Sequence, residues 1–426
     1  MSIPGEGPWA SADRAGGLAR LQAFVPRMGR LYEDGRNFDR GPGRHDGVSA
    51  LSPWLRRRLL TEAEVVQAAI SAHGAEAAGK FVEEVFWRGY FKGWLEHRPQ
   101  AWTRYREDLA RGIAALERDA ALASAVARAE SGQTGLACFD AWSRELVETG
   151  YLHNHARMWF ASIWTFTLRL PWWLGADLFM RHLLDGDPAS NTLGWRWVAG
   201  LHTRGKAYRA RADNIATFTE GRFVPREDEL DAGVSGLEAT EPEGLPPVAV
   251  MRPVLAPRPD LPTALLITEE DCRVEDFPWS SLEVRAAATL TASALRSPRT
   301  VATAVARFEA DALADAAARL RGAGLSVPVE PLHAARSPAA STPAGRPESL
   351  AAWAAARGAT QIVTPHVTRG PLHDWLTEAA PHLAARGIVL AGWRRAWDEA
   401  LWPHATAGFF KVKQRIAEIL RRSAPA

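Results

Sequence analysis

The chain has almost no cysteine: two residues in 426, Cys138 and Cys272, placed far apart. Two thiols cannot build a four-thiolate zinc site or hold an iron–sulfur cluster. They provide no disulfide framework either, which points to a reducing cytoplasm. No apolar run reaches about 18 residues, the length a membrane-spanning helix needs. The opening stretch MSIPGEGPWASADRAGG lacks the apolar centre of a secretion signal, so neither export nor a membrane span is expected. Excess charge is missing too: the formal net charge is +2, too small by itself to point to nucleic acid. No GxGxxG or Walker A pattern follows any strand-like run, which leaves nucleotide binding in the second half unsupported.

Tryptophan, by contrast, is abundant, with 18 residues against 5 tyrosines. So many indoles either fill a core or stack on planar ligands and carry electrons. The length predicts two domains, and 47% hydrophobic with 23% charged residues is a soluble globular composition.

After an N-terminal tail over 1–17, residues 18–225 carry helical periodicity, as in Glu62–His73, Ala78–Leu95 and Cys138–Glu148. Ser52-Pro53 fits a helix start, and Thr61 followed by Glu64 fits a capping box. Residues 226–262 are rich in Pro, Gly and acids and read as an extended linker. From 263 to 426 strands and helices alternate. TALLIT, EVRAAATL, LSVPVEPL, QIVTP and GIVLAG are strand candidates. Helices are expected over Thr300–Gly322, Glu348–Arg357, Leu372–Arg386 and Phe409–Arg421, and RSPAASTPAGRPE (336–348) reads as a flexible loop. The predicted class is α plus α/β: an all-helical domain, then a five-stranded parallel α/β domain.

Four segments concentrate chemistry. GRHDGVSALSPWL puts Ser49, Ala50, Leu51 and Ser52 at a helix start, where N–H groups and hydroxyls suit a pyrophosphate, or serve simply as a cap. FVEEVFWRGYF places Glu84 and Arg88 on one helix face as an i,i+4 pair, with Phe81 and Trp87 nearby. TGLACFDAWSRELVETGYLHNHARM brings Asn154, Arg157 and Met158 within five residues. Its His153 and His155 lack a carboxylate co-ligand, so no metal site is expected. LLDGDPASNTLGWRW sets Asp185, Asp187, Asn191, Trp195 and Trp197 in one short stretch.

Together these segments resemble the flavin domain of the DNA photolyase/cryptochrome family. The serine segment is similar to T-S-x-L-S-P-x-L, with Val48 in place of the Thr. The next resembles W-x-x-E-L-x-W-R-[ED]-F-[YF], with Phe81 for the first Trp. The third resembles T-G-x-P-x-V-D-A-x-x-R-x-L-x-x-T-G-[WY]-x-H-N-x-x-R-M, with His155 where many relatives carry Arg.

The resemblance implies non-covalent FAD held by Tyr32, Ser49, Ala50, Leu51, Ser52, Phe81, Asn154, Arg157, Asp185, Asp187 and Asn191. It implies an electron relay through Trp195 and Trp172. The usual outer member falls on Ala129, so Trp173 or Trp142 would have to substitute. Glu84 would donate a hydrogen bond to the lesion if burial kept it protonated. Trp87, Trp197 and Met158 would pack on a flipped pyrimidine pair, and Arg88 with Arg209 or Arg211 would meet DNA phosphates. Lys206 and Arg204 add to this basic rim.

The (6-4) branch carries His at the positions of Asn154 and Met158. Their absence implies light-driven repair of cyclobutane pyrimidine dimers in UV-damaged DNA by electron transfer from excited reduced FAD, a carbon–carbon lyase activity in a monomer. A blue-light photoreceptor without repair is the alternative. ALLITEEDCRVED and WRRAWDEALWPHATAGFFKVKQRI resemble parts of the family's α/β domain, which ordinarily comes first. A circular permutation is therefore expected, an unrelated flavodoxin-like domain being the other reading, and no antenna chromophore can be named.

Overall fold

The computed structural model describes residues 11–335 and 345–423. Of the loop expected over 336–348, residues 336–344 lie outside the described residues, as do 1–10 of the tail.

The first half is helical. It begins with α1 (Arg14–Phe24), earlier than the tail boundary expected at 17, then α2 (Arg30–Gly35) and the short α3 (Ser52–Arg56). Two long helices follow, α4 (Glu62–Ala77) and α5 (Gly79–His97), then α6 (Pro99–Arg118) and α7 (Ala120–Glu130). The remaining helices are α8 (Ala137–Thr149), α9 (Asn154–Ser162), α10 (Trp172–His182), α11 (Pro188–Val198) and α12 (Ala212–Phe218). Local chemistry explains several ends. The Thr61 side chain accepts from Glu64 N and the Glu64 carboxylate accepts from Thr61 N, the reciprocal cap expected from sequence. α8 stops at Gly150, which takes the left-handed φ of 68° that a side chain disfavours. Asp187 caps α11, accepting from Ser190 N, with Pro188 in the first turn.

The second half holds a five-stranded parallel sheet in the order β3-β2-β1-β4-β5. The strands are β1 (Pro262–Thr268), β2 (Glu283–Thr291), β3 (Val329–His333), β4 (Gln361–Pro365) and β5 (Val389–Trp393). The helices between and after them are α13 (Thr303–Gly322), α14 (Pro347–Ala356), α15 (Pro371–Ala384), α16 (Ala396–Leu401), α17 (Phe410–Lys413) and α18 (Ile416–Ser423). The single closing helix expected over Phe409–Arg421 is thus two short ones.

Period-two alternation builds this half into the molecule. Leu265 and Ile267 of β1 join the core shared with the helical half, together with Leu313 and Leu320 of α13. Ala264 and Leu266 point the other way, into a second core with Leu350 of α14 and Trp375 of α15. Both sheet faces are covered, as an all-parallel sheet requires.

Residues 226–261 are pinned along the surface. Leu237 N donates to Ala199 O, Ala249 N to His97 O, and Gly392 N of β5 to Leu255 O. Arg252 makes two hydrogen bonds, of 2.7 and 2.9 Å, to the buried carboxylate of Glu96 on α5.

Candidate flavin site

The site begins where α11 starts. Asp187 is fully buried, and three cations surround its Oδ2: Lys92 at 3.5 Å, Arg88 at 3.6 Å and Arg56 at 3.8 Å. Burial alone would raise its pKa. The charges of Lys92, Arg88 and Arg56 outweigh burial and hold the carboxyl far below the usual range. Two residues earlier, Asp185 pairs with Arg157 at 2.9 Å and accepts the Ser52 hydroxyl hydrogen bond. One turn into α11, the Asn191 side-chain amide donates to Ala176 O at 2.9 Å, which turns its Oδ1 away from that contact.

Several buried polar atoms here have no hydrogen-bond partner: Oδ1 of Asp185, Oδ2 of Asp187, Oδ1 of Asn191, Nε and one Nη of Arg88, and Nε1 of Trp195. Buried polar groups left unsatisfied are costly, and a cluster of them marks a place for a polar ligand. Acceptors for ring N–H groups beside cations for phosphate are the donor and acceptor set a flavin nucleotide needs, so these residues fit FAD.

Sequence reasoning and structure part company at several residues. Ser52 is the first residue of a five-residue helix whose cap, Leu51, has no side-chain bond. The Ser52 hydroxyl goes to Asp185, not to a helix N-terminus, so α3 is no strong anion site. Ser49 is anchored instead through its carbonyl, which accepts from Arg20 Nε at 2.8 Å, and Ala50 takes a left-handed φ of 50°. Tyr32 is buried edge-on against Phe81, centroids 5.0 Å apart. Asn154, the first residue of α9, is exposed.

Glu84 and Arg88 do not pair. The Glu84 side chain is 33% exposed and meets Lys80 at 3.0 Å and Arg36 at 3.9 Å. That is not the buried acid a hydrogen-bond donor role requires. Arg88 turns inward to Asp187 at 3.6 Å, its side chain 12% exposed. Arg211 lies exposed in an ion pair with Asp213, whereas Arg209 is half-buried.

The aromatic residues also differ from expectation. Trp195 sits among Phe179 at 5.1 Å, Trp164 at 6.3 Å and Phe160 at 6.4 Å. Trp172 contacts Tyr105 at 5.9 Å and Trp173 at 6.0 Å. Trp142, the other candidate for the outer relay, stacks on Trp159 at 5.4 Å and donates to Asp39, so it belongs to a different cluster. Trp197 packs on Tyr208 at 5.5 Å. Trp87 carries Phe409 flat on its ring, centroids 3.9 Å apart and planes 14° apart. Met158 is half-buried.

Sequence reasoning missed Arg56, Lys92 and Phe409. Three consecutive arginines, Arg56, Arg57 and Arg58, are all buried. Arg56 bonds Glu270 at 2.7 Å, Arg57 lies 3.3 Å from Glu269, and Arg58 bonds Asp398 at 2.6 Å. Glu269 and Glu270 follow β1, at the carboxyl ends of the strands where the order reverses. Open α/β sheets commonly bind ligands there. Here Arg56 and Lys92 of the helical half fill that crevice, Lys92 lying 3.7 Å from Glu270.

Among the described residues, no group of three or more His, Cys, Asp or Glu is arranged to hold a metal. No helix there is long and apolar enough to cross a membrane.

A helical domain with a buried, cation-ringed acid pair and unsatisfied acceptors around it has the make-up of a flavin-binding domain. Residues 81–224 match the model of the FAD binding domain of DNA photolyase. Over these residues the chain carries an FAD binding domain of the DNA photolyase type, and FAD is the cofactor such a domain holds. A deoxyribodipyrimidine photo-lyase of Streptomyces griseus is 36% identical over 197 residues, 43% of this chain and 41% of that protein. Another, from Thermus thermophilus, is 36% identical over 202 residues, 47% of this chain and 46% of that protein. The chain thus spans less than half the length of these relatives. A class III photolyase structure from Agrobacterium tumefaciens is 27% identical, with 49% of this chain and 43% of that one covered and a TM-score of 0.39.

Proposed function

We propose that the chain is a light-dependent DNA lyase that splits cyclobutane pyrimidine dimers, acting as a monomer on UV-damaged DNA. One observation carries this reading. Helices α5 and α11 pack together, and each carries an inward polar residue and a half-buried tryptophan: Arg88 and Trp87 on α5, Asn191 and Trp197 on α11. Bound FAD in its reduced form supplies the light-driven electron. The residues of this chain do the rest. Asp185, Asp187, Asn191, Arg157 and Arg88 hold and orient the cofactor. Trp197 and Met158 flank the lesion, and Arg209 meets the backbone of the DNA. Asn154 and Met158 replace the His pair associated with (6-4) chemistry, so that product is not a substrate. The family names borne by the photo-lyase relatives support this reading.

The test is illumination of the fully reduced protein with oligonucleotides carrying one cyclobutane dimer or one (6-4) photoproduct. Intact pyrimidines are expected from the first alone. Dimers left intact in both single- and double-stranded DNA would favour the second reading, a blue-light photoreceptor. The observation behind that alternative is Phe409, which already covers one face of Trp87.

The α/β half is proposed to be the family's antenna-like domain transposed to the C-terminal side. A chain rejoined with 263–426 ahead of 18–225 should still fold and retain FAD; failure to do so would count against the permutation.

A further inference from the structure

Residues 404–423 carry five basic side chains, Lys411, Lys413, Arg415, Arg421 and Arg422, against one acid, Glu418. The fold brings this segment to the edge of the flavin domain's aromatic set. Phe409 is buried flat on Trp87. The Tyr90 hydroxyl donates to Ala407 O at 2.8 Å. Lys413 pairs with Glu83 at 2.6 Å, and Glu83 shares Lys80 with Glu84.

The next residue behaves oppositely. Phe410 is 68% exposed, and Lys411, Lys413 and Arg415 after it are exposed as well. A large aromatic ring held in water by a buried neighbour, with three exposed cations in the next five residues, matches the chemistry of nucleic acid. Cations take phosphates, and an aromatic face takes an unstacked base. Lys413 and Arg415 are paired at the surface, Arg415 with Glu418 at 3.0 Å, and the basic rim expected at 204–211 is committed in a similar way. Arg211 is paired with Asp213, and Arg204 donates to the carbonyls of Glu241 and Glu238.

We infer that residues 409–415 form a DNA-docking element beside the lesion site, with Lys411, Lys413 and Arg415 on backbone phosphates and Phe410 against a base unstacked near the dimer. This rests on the repair reading and adds to it a surface drawn from the far end of the chain. Phe409 is the buried anchor that fixes the element to Trp87.

The experiment measures binding of the FAD-loaded full chain to a duplex with one cyclobutane dimer and to its undamaged counterpart, across a salt series. Two variants are compared with the wild type: Phe410→Ala, and the triple Lys411→Ala, Lys413→Ala, Arg415→Ala. All four side chains are exposed, and flavin content with flavin photoreduction checks that each variant is folded. The triple variant should flatten the slope of log affinity against log salt by about 2.7, the loss of three phosphate contacts, on both duplexes. Phe410→Ala should weaken the dimer duplex by roughly five-fold or more, the lower end of a base–aromatic stack, and the undamaged duplex less. Wild-type affinity, slope and repair in both variants would overturn the docking element while leaving the repair reading intact. A wild type that binds neither duplex would remove the repair reading and this surface with it.

Discussion

Asp187 Oδ2 lies 3.5 Å from Lys92 Nζ, with both side chains 1% exposed. The same ammonium stands 3.7 Å from Glu270 at the end of β1. One lysine on α5 therefore ties the acid of the flavin site to the carboxyl end of the sheet's central strand. Charges this deep persist only because each has a partner.

Asp187→Ala removes the shared partner of Lys92, Arg88 and Arg56. The variant should lose most of its FAD and about 3–5 kcal/mol of stability, the usual cost of leaving buried charge unpaired. The flavin-to-protein absorbance ratio and the denaturant midpoint measure the two effects. Asp187→Asn keeps an N-cap for α11 and should recover part of the stability but not the full flavin content.

Electron supply to oxidised FAD should run through Trp195 and Trp172 and leave by Trp173, the indole 6.0 Å from Trp172. Trp172→Phe should suppress photoreduction under blue light, and Trp173→Phe should slow it. Trp142→Phe should leave the rate unchanged, because that ring stacks on Trp159 instead. Bleaching of the oxidised flavin band follows each rate. Repair by pre-reduced protein should survive all three changes.

Glu145 is buried, near Asp39 and 3.7 Å from His45. Burial first, then the charge of Asp39, pushes its pKa up from 4.5 to about 8. In that window the folded state holds a proton that the unfolded state has released. Its contribution is therefore complete below about 4.5 and is lost as pH rises through about 8. Glu145→Gln removes this dependence. The melting temperature of the variant relative to wild type should climb steadily across the window; a constant difference would contradict the assignment.

Arg252 belongs to the expected linker, yet it holds the Glu96 carboxylate, which is fully buried. Burial opposes that charge. Hydrogen bonds from His366 and Arg252 overcome it and keep the carboxyl far below its usual range. Arg252→Ala should cost about 3–5 kcal/mol and expose residues 246–258 to limited proteolysis, whereas the exposed pair Arg258–Asp260 should be replaceable with little change.

The secondary structure was largely legible in the sequence because it rests on local rules. The Thr61–Glu64 cap, the Asp187 cap with Pro188, and the alternation of TALLIT all depend on neighbours within a few residues. The acid pair and Asn191 were legible too, since Asp187 and Asn191 sit one helical turn apart on α11. Local order also explains the one boundary error at the C-terminus, where two short helices replace the expected single one.

What the sequence alone determined, then, is the set of helices and strands and the polar residues grouped along α11. Tertiary structure decided which charges meet. Glu84 and Arg88 share a helix face, yet α2 takes one toward Arg36 and α11 takes the other toward Asp187. Arg56 finds Glu270, 214 positions away, and Phe409 reaches Trp87 across most of the chain. Such pairings follow from how the sheet docks on the helices, and a buried charge must find its partner wherever docking puts one. No periodicity or spacing within either half records that.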